Sequence, residues 1–197
     1  MAIKRRKDQD LVFKIVIIGV LTALSIGLSL IKLPITGVSV TLLLPVVIIG
    51  AALYGPWVGA WLTVVPNIIA YFTEGALFMA YSPIGGFATI LLKGILAGIA
   101  AGFIYKALSK KHPMLAITCA SVAAPLINTG VFILGSYVLI WDKMIDAALE
   151  TGIAPEFAGI AIFLGLGFNM VVELILNIVL CPGIFRILQI VTKKKLA

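Results

Sequence analysis

Charge is what this chain has least of. Of its 197 residues, 12% are charged and 62% are hydrophobic, with a mean hydropathy of +1.20. A soluble domain is about a quarter charged and about half apolar. A soluble fold would need far more polar surface and is therefore excluded. Histidine is nearly as scarce. The single one, His112, lies in a basic stretch. That leaves no Ser-His-Asp arrangement and no histidine beside the two cysteines, Cys119 and Cys181. Both cysteines sit in apolar runs and read as free packing thiols. There is no GxxxxGK[ST] phosphate loop and no HExxH pair, so ATP hydrolysis by that route and zinc hydrolysis are excluded. No catalytic set remains, and no cofactor or metal is expected. Acids are sparse, which argues against a proton-driven carrier with a buried carboxylate relay; Glu173 alone keeps that option open.

What is present is apolar sequence in runs of roughly 18 residues or more, the length that crosses a bilayer at about 1.5 Å per residue. The pattern predicts an all-α integral membrane protein forming a single membrane domain over residues 1–197. Six transmembrane helices are expected, over residues 11–31, 40–54, 57–73, 84–108, 114–141 and 157–181. The second is short for a full crossing. It meets the third at a tight, uncharged Tyr54-Gly55-Pro56 corner, so those two must be antiparallel neighbours. A short surface helix is expected through Met144 to Leu149. Pro182-Gly183 is expected to break the last helix and send Gly183 to Val191 along the inner surface. The basic N-terminus runs directly into a long apolar segment and reads as an uncleaved first span rather than a signal peptide.

The Lys and Arg residues give the orientation. Lys4, Arg5, Arg6, Lys7, Lys14, Lys106, Lys110, Lys111, Arg186, Lys193, Lys194 and Lys195 gather on one side. Only Lys32 and Lys143 fall on the other, with Glu74, Asp142, Asp146, Glu150 and Glu156. Both termini are therefore expected to be cytoplasmic. The net charge of +7 follows from this topology and from a basic rim against anionic lipid, so no nucleic-acid partner is called for.

Polar groups inside the spans are the next signal. Lys93 lies about ten residues into the fourth span, roughly 15 Å deep, and Glu173 lies well inside the sixth. A charge there costs several kcal/mol unless it is paired or wetted. Two readings stand: an ion pair that ties two helices together, or groups that face a wet cavity and touch a polar ligand. Asn67, Asn128, Asn169 and Asn177 add amides on three spans. Asn67, Tyr71 and Glu74 are spaced i, i+4, i+7 and share one helix face. Tyr81 and Phe78, between the third and fourth spans, are the kind of residues a lid would use. The candidate substrate-binding set is thus Asn67, Tyr71, Glu74, Tyr81, Lys93, Asn128, Asn169 and Glu173. Gly19, Ala23 and Gly27 place small residues on one face of the first span, suited to packing within the chain or to docking on a separate membrane subunit. Gly94, Gly98 and Gly102 make a similar row on the fourth, where internal packing is expected.

With Gly19-xxx-Ala23-xxx-Gly27, with LLLPVVIIGAALYGPWVGAW across the second and third spans, and with the closing NMVVELILNIVLCPGIFRIL, nearly the whole chain resembles the substrate-binding S components of energy-coupling factor (ECF) vitamin transporters of prokaryotes. The resemblance implies a high-affinity subunit that binds a vitamin or vitamin precursor near the outer face, beneath the loops after the first and third spans. It implies delivery to an ATP-driven import complex of one transmembrane coupling subunit and two ATPase subunits in the plasma membrane. The chain itself would hydrolyse nothing. The resemblance also implies that Gly19, Ala23 and Gly27 form the docking face. It leaves the ligand open among pantothenate, pyridoxine-like, pyrimidine-like, folate and corrinoid compounds. The rival readings are a stand-alone small-solute carrier or channel using Glu173, and a structural or assembly protein in which the polar groups only hold helices.

Overall fold

The computed structural model describes the backbone of residues 2–35 and 38–196, and the side chains of residues 10–31 and 42–190. The side chains of Lys4, Arg5, Arg6, Lys7, Lys32, Lys193, Lys194 and Lys195 lie outside the described residues.

Helices dominate. They are α1 (Ala2–Leu30), α2 (Leu43–Tyr54), α3 (Pro56–Glu74), α4 (Ala76–Tyr81), α5 (Pro83–Leu108), α6 (Pro113–Glu150) and α7 (Pro155–Leu196). Four of them, α3, α5, α6 and α7, open on proline. Its missing N–H costs nothing in a first turn, where that donor has no intrahelical partner anyway. α1, α5, α6 and α7 contain stretches long and apolar enough to cross a membrane, and α2 is a shorter apolar helix. The protein is an all-α multi-pass membrane protein.

α2 sits at the centre. At about 1.5 Å per residue its 12 residues span well under the bilayer core. It is apolar on every side, and Leu43 to Ala51 are all buried. A helix with no polar face is stable only when it is surrounded. Its contacts to α1, α3, α5, α6 and α7 provide that. Gly55, at φ 100°, makes the corner to α3, a conformation other residues adopt at a cost.

The glycine row of α5 allows a close approach to α3. A methyl group on Gly98 would overlap the Gly59 backbone of α3, and one on Gly102 would overlap Pro56. α3 and α5 therefore pack backbone to backbone, as small residues allow in membranes.

Two expectations are corrected. Residues expected to form a loop before the second span instead form an antiparallel hairpin. β1 (Lys32–Ile35) pairs with β2 (Val38–Thr41), with Leu33 opposite Val40. α2 accordingly starts at Leu43 rather than at residue 40. The helix expected through Met144 to Leu149 is present: Ile140 (φ −142°, ψ 16°) is non-helical, and a second helical segment follows it to Glu150. Pro182 does not end the last helix; α7 runs through it to Leu196. Proline deletes one backbone hydrogen bond. Here Cys181, Ile184 and Leu188 bury against the α2-centred core, which favours keeping the helix intact.

Candidate functional site

α3, α5, α6 and α7, with α4 and the end of α1, line a cavity of about 460 Å³. That size suits a small organic molecule. Polar side chains enter from four helices: Asn67 and Glu74 from α3, Lys93 from α5, Asn128 from α6, Asn169 and Glu173 from α7. Apolar cover comes from Leu43 and Leu44 of α2, Leu77 and Phe78 of α4, and Ile90, Phe132, Ile140 and Met144.

Local sequence explains the placement. Lys93 and Gly94 are adjacent on α5. A side chain at Gly94 would run into the Asn67 amide, so glycine is what lets Asn67 lie against α5 beside Lys93. Phe132 follows Asn128 by four residues and shares its face. The Lys93 ammonium lies 4.6 Å from the centroid of the Phe132 ring, a cation–π contact that offsets part of its desolvation. Pro66 lies within α3 and also lines the cavity.

Lys93 and Glu173 feel each other's charge across the cavity. They do not form a contact ion pair; the ion pair seen among the described residues is Lys143–Asp146, at 3.0 Å. Asn128 reaches the Glu173 carboxylate with its side chain. The other carboxylate oxygen, Oε2, is buried with no hydrogen-bond partner, as are Asn67 Nδ2 and Asn169 Oδ1. Glu173 is 6% exposed and Asn67 4%. Orphaned buried polar atoms are uncommon and call for an explanation. Several of them meeting at one cavity point to a missing polar ligand.

Two members of the expected set stand elsewhere. Tyr71 is buried, but its hydroxyl donates to the Pro83 carbonyl oxygen at 2.9 Å and its ring packs edge-on against Phe87. It clasps the end of α3 to the start of α5. On the helical wheel Asn67 lies between Glu74 and Tyr71, so Tyr71 stands at the edge of that face, on the side that meets α5. Tyr81 is 56% exposed and stacks with Lys143, whose ammonium is 5.3 Å from its ring. A hydrogen bond to Asp146 raises the pKa of Lys143 above the ordinary lysine value. Asn177 bonds back to the Glu173 carbonyl oxygen of its own helix at 2.7 Å. The sequence reading missed Ser29, Thr129, Phe132 and Met144, all of which line the cavity. Phe132 shares the face of Asn128 at four-residue spacing but, being apolar, did not stand out in an apolar run; Ser29, Thr129 and Met144 carried no signal.

At Gly19 and Gly27 of α1 an added methyl group would meet nothing within 4 Å, and Ala23 is exposed. Leu21 and Ser25 are buried instead. The small-residue face thus points away from the bundle. Packing within the chain, one of its two expected uses, is not what it does here.

The structure is thus a helical membrane protein with a polar cavity between its helices. The comparison of families agrees. Residues 13–185 match the model of the ECF transporter, substrate-specific component, and the chain belongs to that family. No curated protein gives a significant match. Family membership makes the chain the substrate-specific component of an ECF transporter.

Proposed function

We infer that the chain captures a vitamin or vitamin precursor with high affinity at the cavity and delivers it to an ATP-driven ECF import complex in a prokaryotic plasma membrane. One observation carries this reading. Lys93, Asn67, Asn128, Asn169 and Glu173 converge on one cavity from four helices, and some of their buried polar atoms lack partners. A structural role would favour satisfying those groups, since unpaired buried polar atoms are costly. The reading takes the chain to span the membrane six times, through α1, α2, α3, α5, α6 and α7. Both termini and the α5–α6 turn, with Lys106, Lys110 and Lys111, face the cytoplasm; the cavity opens outward. The exposed face of Gly19, Ala23 and Gly27 docks on the coupling subunit, whose ATPase partners supply the energy.

Native mass spectrometry of the detergent-purified protein tests the capture. A small-molecule adduct of defined mass is expected, reduced in Asn67→Ala and Asn128→Ala proteins that still fold. Absence of an adduct together with no thermal shift across a vitamin panel would overturn the reading. The carrier alternative predicts uptake into vesicles without any ATPase, with a dependence on the Glu173 carboxylate.

A further inference from the structure

Building on that reading of the cavity, we propose that its ligand is amphoteric: a small molecule with an N–H or cationic donor group for Glu173 and Asn169, and a carboxylate or other strong acceptor for Lys93. The argument is a matching of groups. Lys93 carries donors only. It has no contact carboxylate, and its ammonium rests on the Phe132 ring. Glu173 Oε2 and Asn169 Oδ1 are acceptors, buried and unpartnered. Donor and acceptor thus stand on different helices, α5 and α7, across one cavity. They line the same cavity without closing into an ion pair. A molecule with complementary ends inserts between them and satisfies both.

Charge balance excludes the simpler ligands. An acid lacking a donor would gain Lys93 but would lie against Glu173, with Glu74 also at the wall. A cation lacking an acceptor would gain Glu173 but would sit near a half-buried ammonium. In a site of low dielectric such mismatches are expensive. Phe78 and Phe132 supply apolar surface for a flat or compact body between the two ends.

Three probes of matched shape test this: 4-aminobenzoate, with both groups; benzoate, with the acid alone; and aniline, with the donor alone. Their affinities for the full chain in lipid nanodiscs are measured by calorimetry. 4-Aminobenzoate is expected to bind about tenfold or more tightly than either analogue, a difference of about 1.4 kcal/mol or more. In Glu173→Gln its advantage over benzoate should shrink, and in Lys93→Met its advantage over aniline should shrink. Each comparison is made within one protein, so a general loss of folded material does not imitate the result. Equal affinities for the three probes, no binding of any at millimolar concentration, or advantages that survive both substitutions would each overturn the amphoteric assignment. Denaturing the purified protein and weighing what it releases separates this proposal from capture itself. A released acid without a donor overturns the ligand class and leaves capture standing. No released molecule, with a silent vitamin panel, overturns both.

Discussion

At the scale of single residues, the clearest division is between Tyr71 and Asn67, one helical turn apart on α3. Asn67 lies against Gly94 and faces the cavity; Tyr71 spends its hydroxyl on Pro83. Tyr71→Phe removes one neutral hydrogen bond, a loss of about 0.5–1.5 kcal/mol in stability. The melting temperature should fall while ligand affinity stays within about twofold, less than the tenfold that 1.4 kcal/mol represents. Asn67→Ala should do the reverse, weakening binding about tenfold or more with a smaller change in melting. Thermal unfolding and calorimetry on the same samples distinguish the two, and matching losses in both variants would contradict the division.

Residue chemistry was also the level at which the sequence was most legible for the site. A charge or an amide inside an apolar run is rare because it is costly, so Lys93, Glu173, Asn67, Asn128 and Asn169 announced themselves. Tyr71 and Tyr81 did not separate from them, because an aromatic side chain near a membrane interface has several uses. Apolar members such as Phe132 and Met144 looked like every other apolar residue until the helices were placed.

At the scale of elements, the glycine row of α5 and the small-residue row of α1 look alike in sequence and have opposite roles. On α5, Gly98 meets the backbone of α3. Gly98→Leu must push two helices apart, and overpacking of this kind costs about 1–3 kcal/mol or more. A lower melting temperature or loss of folded protein in detergent is expected; an unchanged melt would mean that α3 and α5 are not in backbone contact. On α1, the space beyond Gly27 is open. Gly27→Leu should melt normally and bind ligand normally, yet fail to co-purify with the coupling subunit. If it co-purifies at the wild-type level, the docking face lies elsewhere. Periodicity could not tell these rows apart, since it records the size of residues on a face and not what the face meets. The hairpin of β1 and β2 was hidden for a related reason. Its strands are four residues each, too short for an alternating pattern to stand out. The passage of α7 through Pro182 was hidden because the local rule for proline was outweighed by burial of Ile184 and Leu188.

At the scale of the whole molecule, the class and the approximate helix boundaries followed from hydropathy alone, because a bilayer admits few solutions. The continuity of α7 past Pro182, where a break was expected, depended on packing. The arrangement of charge predicts that a cysteine placed at Ser109 reacts with impermeant thiol reagents only from the cytoplasmic side, and one placed at Thr151 only from outside. A Cys119→Ala, Cys181→Ala background removes the native thiols. Labelling of both positions from one side would overturn the six-span topology.

The backbone contact between α3 and α5 has a kinetic consequence. Asn67 and Lys93 stand on two helices that meet backbone to backbone, so that wall presents its polar groups in fixed positions. Opposite them, α4 is only six residues long and supplies Leu77 and Phe78 to the cover. Selectivity then resides in a stiff wall and dwell time in a short cover. Leu77→Ala should speed both association and dissociation while leaving the ranking of ligands intact, whereas changes at Asn67 or Lys93 should reorder that ranking.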